Sequence, residues 1–139
     1  MTVVSEMLRT HPKGVGELDE AVLKNCILAC LECVYSCTAC ADACLSEEMV
    51  ADLRDCIQKN LDCADVCDAT AKVLSRHPGA TSNELLISLL QTCRAMCHAC
   101  AVECEKHGDM HLHCEVCAKT CRRCVEACDE LLSALEPVT

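Results

Sequence analysis

Residues 26–44 read CILACLECVYSCTACADAC, with cysteine at Cys26, Cys30, Cys33, Cys37, Cys40 and Cys44. The steps alternate between four residues and three. An α-helix completes a turn every ~3.6 residues, so this spacing carries all these thiols along one face. In a coiled coil or helix bundle that face is the seam occupied by leucine. Here sulfur occupies it.

The pattern recurs downstream. Cys56, Cys63 and Cys67 form a second group, Cys93, Cys97, Cys100 and Cys104 a third, and Cys114, Cys117, Cys121, Cys124 and Cys128 a fourth, for 18 cysteines in 139 residues. The skipped rung of the second group holds Asn60, which leaves two readings: sparser storage along that helix, or a hydrogen bond in place of a thiol. Each group forms a stripe on its own helix.

The predicted helices follow from these stripes and their punctuation. The first runs from about Glu17 to Cys44, after Gly14 and Gly16, with Glu17, Asp19 and Glu20 at its positive end. Ser46 reads as the N-cap of the second, with Glu47 and Glu48 in its first turn. That helix runs to about Arg76, where His77-Pro78-Gly79 breaks it. Thr81 and Glu84 have capping-box spacing and open the third, to about His107. Gly108 ends it, Asp109 caps the fourth, and Pro137 follows its end near Leu135. Residues 3–11 can add a short N-terminal helix with Val4, Met7 and Leu8 on its apolar side.

Short connections make sequential helices antiparallel neighbours. The expected fold class is all-α, an antiparallel up-down-up-down four-helix bundle with a Cys-lined core. It forms a single domain over residues 1–139, the bundle at about 17–135 and an extension at 1–16. This topology separates the two ends. Leu18, Val22, Leu23, Val73, Leu74, Leu86, Leu89, Leu90, Leu131, Leu132 and Leu135 gather at one end as an apolar plug. Cys44, Met49, Cys104, His107, Met110, His111, His113 and Cys114 gather at the other, a mouth of soft donors. A second apolar stripe, Ile27, Leu31, Val34 and Tyr35, turns away from the thiols and reads as a subunit interface.

Composition narrows the function. There is no Phe, no Trp and one Tyr, so thiols, which pack as small hydrophobes, must fill much of the core. The formal charge of −10 lacks the basic stripe that nucleic acid requires. No signal-peptide core, twin-arginine motif or run of ~18 apolar residues is present, which gives a cytoplasmic expectation and no membrane partner. In that reducing compartment, dense cysteine points to metal rather than disulfides.

Rival thiol chemistries fail on motif. The C-x-x-C runs at Cys30, Cys37, Cys97, Cys114 and Cys121 lack a βαβ context and are what a three-four ladder generates automatically. Ferredoxin ligands wrap a cluster from loops, a di-iron bundle needs Glu-x-x-His, and haem attachment needs C-x-x-C-H; none is found. Zinc takes a few tetrahedral ligands per ion. An unbroken ladder of thiols better suits an ion content with two or three sulfurs, and Cu(I) fits best. One Cu⁺ per thiolate also fills the core without accumulating buried charge. His107 and His111 extend the ladder of the third helix and join the cysteines as candidate ligands.

The ladder C-x-x-x-C-x-x-C-x-x-x-C-x-x-C-x-x-x-C over residues 26–44, with its shorter copies in the third and fourth helices, resembles the bacterial copper-storage proteins. The resemblance spans roughly residues 17–135. It implies a Cys-lined four-helix bundle holding many Cu(I) ions, with no catalytic role. The missing export signal resembles the family's cytosolic branch and implies a homotetramer; a copper chaperone could serve as donor or recipient. A zinc-binding or redox-buffering thiol protein is the alternative. The helices are expected to form without metal, since caps and the leucine plug can specify the bundle.

Overall fold

The computed structural model describes residues 2–76 and 81–135. Among them lie α1 (Val3–Thr10), α2 (Glu20–Leu45), α3 (Arg54–Ser75), α4 (Asn83–Glu105) and α5 (Leu112–Leu135), with a 3-10 turn at Val50–Leu53 leading into α3. No strand occurs among the described residues. The expected helix breakers His77-Pro78-Gly79 and Pro137 lie outside them. The helices α2 and α4 each pack on both α3 and α5, closing a four-membered ring. This is the expected all-α bundle.

Short-range chemistry sets the boundaries, and several differ from those read in the sequence. Gly14 and Gly16 take φ of 65° and 67°, a left-handed region that disfavours side chains. They hold the chain in turns past Glu17, and α2 starts only at Glu20. Its cap is Asp19, whose Oδ1 accepts from the backbone N–H of Ala21 at 2.8 Å and of Val22 at 3.4 Å.

Ser46 does not open the second bundle helix. Its backbone N–H donates to Asp42 at 3.2 Å and Ala43 at 3.1 Å, so it closes α2 instead. Glu47 and Glu48 therefore sit in a connection, and the buried Leu53 steers the 3-10 turn into α3. For α4 the cap is Ser82, not Thr81: its Oγ accepts from Leu85 N–H at 3.3 Å. Asp109 does not cap α5. The turn after α4 continues instead through a bond from His111 N–H to the His107 carbonyl at 2.9 Å.

The leucine plug forms as expected except at Leu89, which is only half-buried. Leu23, Leu74, Leu86, Leu90 and Leu131 are fully buried, and Leu132 and Leu135 nearly so. Each such side chain contributes ~1.5–3 kcal/mol on removal from water. Leu18, Val22 and Val73 pack partly against them. Val4 and Leu8 dock α1 onto the core, Met7 stays exposed, and Arg9 Nε donates to Glu20 Oε1 at 2.8 Å.

The second stripe of α2 divides. Ile27 belongs to the core, because the helix turns it beside Cys30 and away from solvent. Leu31 and Tyr35 remain 43% and 77% exposed. They line a groove of about 680 Å³ between α2 and α5, with Ala39, Ala43 and Val116. By length and composition α2 and α4 are apolar enough to cross a membrane. Much of that apolarity is thiol, and the thiols face the bundle axis.

The capping assignment is testable. Ser82→Ala should destabilise the apo bundle by about 1 kcal/mol, while Thr81→Ala leaves the urea midpoint almost unchanged. The reverse ranking would return the cap to Thr81.

Candidate metal centre

All eighteen cysteines are free and buried. The antiparallel order of the helices stacks their stripes into one column. Next to the plug, Cys30 Sγ lies 3.8 Å from Cys124 and 4.0 Å from Cys93. One turn on, Cys33 lies 3.7 Å from both Cys63 and Cys121 and 4.0 Å from Cys97. Cys67 and Cys97 approach to 3.4 Å across α3 and α4. Cys37 then meets Cys121 at 3.7 Å, Cys117 at 3.8 Å and Cys100 at 3.9 Å. Nearer the mouth, Cys56 pairs with Cys104 at 3.7 Å and Cys40 with Cys114 at 3.9 Å.

These contacts overlap rather than partition. Cys33, Cys63, Cys67 and Cys97 bring their sulfurs within 4.8 Å of one another, and so do Cys33, Cys37, Cys63 and Cys121. Cys37 and Cys121 recur with Cys100 and Cys117, and Cys30, Cys93, Cys124 and Cys128 form a further set. A shared thiolate can bridge two ions, and soft Cu(I) accepts few sulfurs per ion. The column therefore offers a continuous path of ligands.

Asn60 fills its gap in the column as a hydrogen-bonding hub. Its Oδ1 accepts from the thiols of Cys100 at 3.1 Å, Cys117 at 3.4 Å and Cys104 at 3.6 Å, and Nδ2 donates to Cys56 at 3.7 Å. A fully buried amide must find such partners. Thr70, also fully buried, satisfies its hydroxyl by donating to the Val66 carbonyl at 2.7 Å.

The mouth is built from α4, α5 and the connection after α2. His113, whose role the sequence left open, comes closest to the thiols: Nδ1 lies 3.4 Å from Cys40 Sγ and 3.6 Å from Cys114 Sγ. With Cys44 these make a mixed sulfur–nitrogen group. His111 stacks on His113, with ring centroids 5.6 Å apart, and pairs with Glu47. His107 pairs with Glu103 at 3.0 Å, and Lys106 joins the same carboxylate at 3.4 Å. Met49 and Met110 are exposed. His98 lies on the surface, accepting from Arg122 at 3.0 Å.

Two carboxylates of this mouth were not singled out from the sequence. Glu103 stands four residues before His107, a helical contact spacing that could have flagged it. Glu47 carries no local signal, because only the folded bundle brings it to α5.

The thiols of the mouth are not alike: Cys44 stands above its ordinary value, whereas the hydrogen bond from Cys104 holds Cys56 below it. Burial pushes Cys44 up to about 11, with the charge of Cys56 adding to it. At the opposite end the hydrogen bond with Cys128 holds Cys26 well above its ordinary value. Thiols held up in this way, Cys44 and Cys26 among them, therefore lose their proton to a metal rather than to water.

Residues 19–133 match the family model Csp, copper storage protein. Among solved structures, the chain resembles the copper storage protein Ccsp from Streptomyces lividans loaded with 10 copper equivalents, at 52% identity and a TM-score of 0.91, covering 94% of this chain and 98% of that one. The cytosolic copper storage protein of that organism carrying five coppers gives 54% identity and a TM-score of 0.79 over 81% of this chain and 93% of that one. Cu(I)-bound copper storage protein BsCsp3 gives 33% identity and a TM-score of 0.69, over 78% and 95% respectively. The sulfur column and the matches agree, and the chain belongs to the copper storage protein family.

Proposed function

We propose that this chain stores Cu(I) in the cytoplasm, holding many ions on the eighteen core cysteines, with His107, His111 and His113 serving the mouth. The observation that carries this reading is the buried sulfur column, whose four-thiol groups share members such as Cys33, Cys37 and Cys121. Its role is sequestration without catalysis. Residues 17–135 act as the storage unit of a single domain.

The path runs from the imidazole end inward. A soft ion taken up beside Cys40, Cys44, His113 and Cys114 passes to Cys56 and Cys104, then past Asn60 to the inner thiols. Each transfer exchanges one thiolate for its neighbour, so no ion loses all its ligands at once. The leucine plug closes the far end. Each Cu⁺ replaces a thiol proton, so the interior stays near neutral as it fills, which avoids the heavy cost of an unpaired buried charge.

The groove carrying Leu31, Tyr35 and Val116 supports assembly with other copies of the chain, a tetramer by family resemblance. A copper chaperone is a fitting donor or recipient, since it would deliver reduced copper already bound by sulfur. The acidic surface, with its formal charge of −10, opposes nucleic acid.

An anaerobic Cu(I) titration of the reduced apo chain against a competing chelator tests the storage reading. Well over ten tightly held ions per chain, with helicity preserved, is the expected result. Saturation after one or two ions, or tighter binding of zinc, would favour a zinc or redox role.

In weak buffer at pH 7, loading should release up to about one proton per thiol, approaching 18 per chain. The sign follows from the raised Cys44 value: below pH 9 the thiol is neutral, so apparent copper affinity climbs with pH until about 11. The same shift stabilises the apo fold below pH 9, a contribution lost as pH rises through about 11. Finally, changing His107 and His111 together to Ala should slow copper uptake or removal in stopped-flow traces while leaving capacity nearly intact.

A further inference from the structure

Glu47 belongs to the connection after α2, yet one of its oxygens meets two imidazoles of the mouth. Glu47 Oε2 contacts Nδ1 of His111 and lies 3.2 Å from Nε2 of His113. The two rings present opposite nitrogens to the same acceptor. A carboxylate offers only lone pairs, so each nitrogen facing it carries the hydrogen. In a neutral imidazole the remaining nitrogen then holds the free lone pair.

For His113 the free nitrogen is Nδ1, the atom 3.4 Å from Cys40 Sγ and 3.6 Å from Cys114 Sγ. For His111 it is Nε2. We propose that Glu47 is a positioning residue of the copper mouth, fixing opposite tautomers in two stacked imidazoles so that His113 turns a bare Nδ1 to the Cys40–Cys44–Cys114 thiols. This rests on the storage reading above.

The chemistry of the mouth explains why the tautomer matters. A thiol must surrender a proton before it can bind a soft cation, whereas an imidazole nitrogen with a free lone pair need not. With the other tautomer, His113 would aim an N–H at the thiols and block that ligand position. A carboxylate behind a ligating histidine fixes ring orientation and raises the basicity of the far nitrogen. Glu47 serves two rings from one side chain. It can also couple them, because rotating either ring withdraws a donor from the same oxygen.

The experiment uses the full-length, reduced apo chain labelled with ¹⁵N at histidine. Long-range ¹H–¹⁵N spectra at pH 8 report which ring nitrogen bears hydrogen. His113 should be protonated at Nε2 and His111 at Nδ1. Finding the same tautomer in both rings of the unsubstituted protein overturns the proposal, even if every variant fails to fold.

In Glu47→Ala, His111 should lose its Nδ1–H preference, and affinity for the first Cu(I) should fall about 10–100-fold, the usual effect of removing such a partner. Glu47→Gln, whose amide oxygen still accepts, should recover part of that loss. Glu48→Gln removes an adjacent exposed charge and should change neither readout. Unchanged tautomers in Glu47→Ala, or changed tautomers with unchanged first-ion affinity, would remove the positioning role. If the unsubstituted chain takes up only one or two copper ions, the storage reading fails while the spectra still decide the tautomers.

Discussion

A buried thiol is content only while it is neutral, and eighteen of them share one axis in this bundle. In the apo state protons provide that neutrality, and weak S–H···S contacts of 3.4–4.0 Å hold the column together. Replacing the proton by a monovalent soft cation preserves the balance and strengthens each contact. A divalent ion would not, since four thiolates around it would leave two negative charges in a dry core. Charge balance thus links the composition of the seam to the kind of ion it can hold in number.

The bundle divides its work between its ends. Leucine supplies the apolar burial that thiols, being small, supply poorly. Concentrating it at the plug lets the remaining length of each helix be given over to sulfur. Imidazole and carboxylate collect where the helices meet solvent, at the α4–α5 turn and the connection after α2. Between them Asn60 interrupts the sulfur with an amide that touches four cysteines, marking off the mouth from the inner column.

The cysteine periodicity made the helices, the antiparallel ring and the buried column legible, because a three-four spacing has one geometric meaning. The plug was legible for the same reason. Helix starts were less so: Ser46 has the chemistry of an N-cap, but its N–H lies within reach of the last carbonyls of α2 and satisfies those first. Thr81 and Ser82 are adjacent and chemically equivalent, so only the backbone direction at Ser82 selects between them. Ile27 looked like part of an outer stripe because spacing alone does not say how wide the buried face is. His113 and Glu47 owe their proximity to the fold, being 66 residues apart in sequence.

Cys33 belongs to two overlapping four-thiol groups at once, and Cys37 and Cys121 do likewise. The core is therefore less a row of numbered seats than a lattice in which neighbouring positions exclude or stabilise one another. Occupancy on such a lattice rises gradually with the chemical potential of the ion, spread by competition among equivalent arrangements. A partly filled molecule has many ways to distribute the same load, and that configurational freedom favours intermediate filling over all-or-none states. The cell would meet a reservoir that yields or absorbs ions over a broad span of free concentration, without any single affinity to define it.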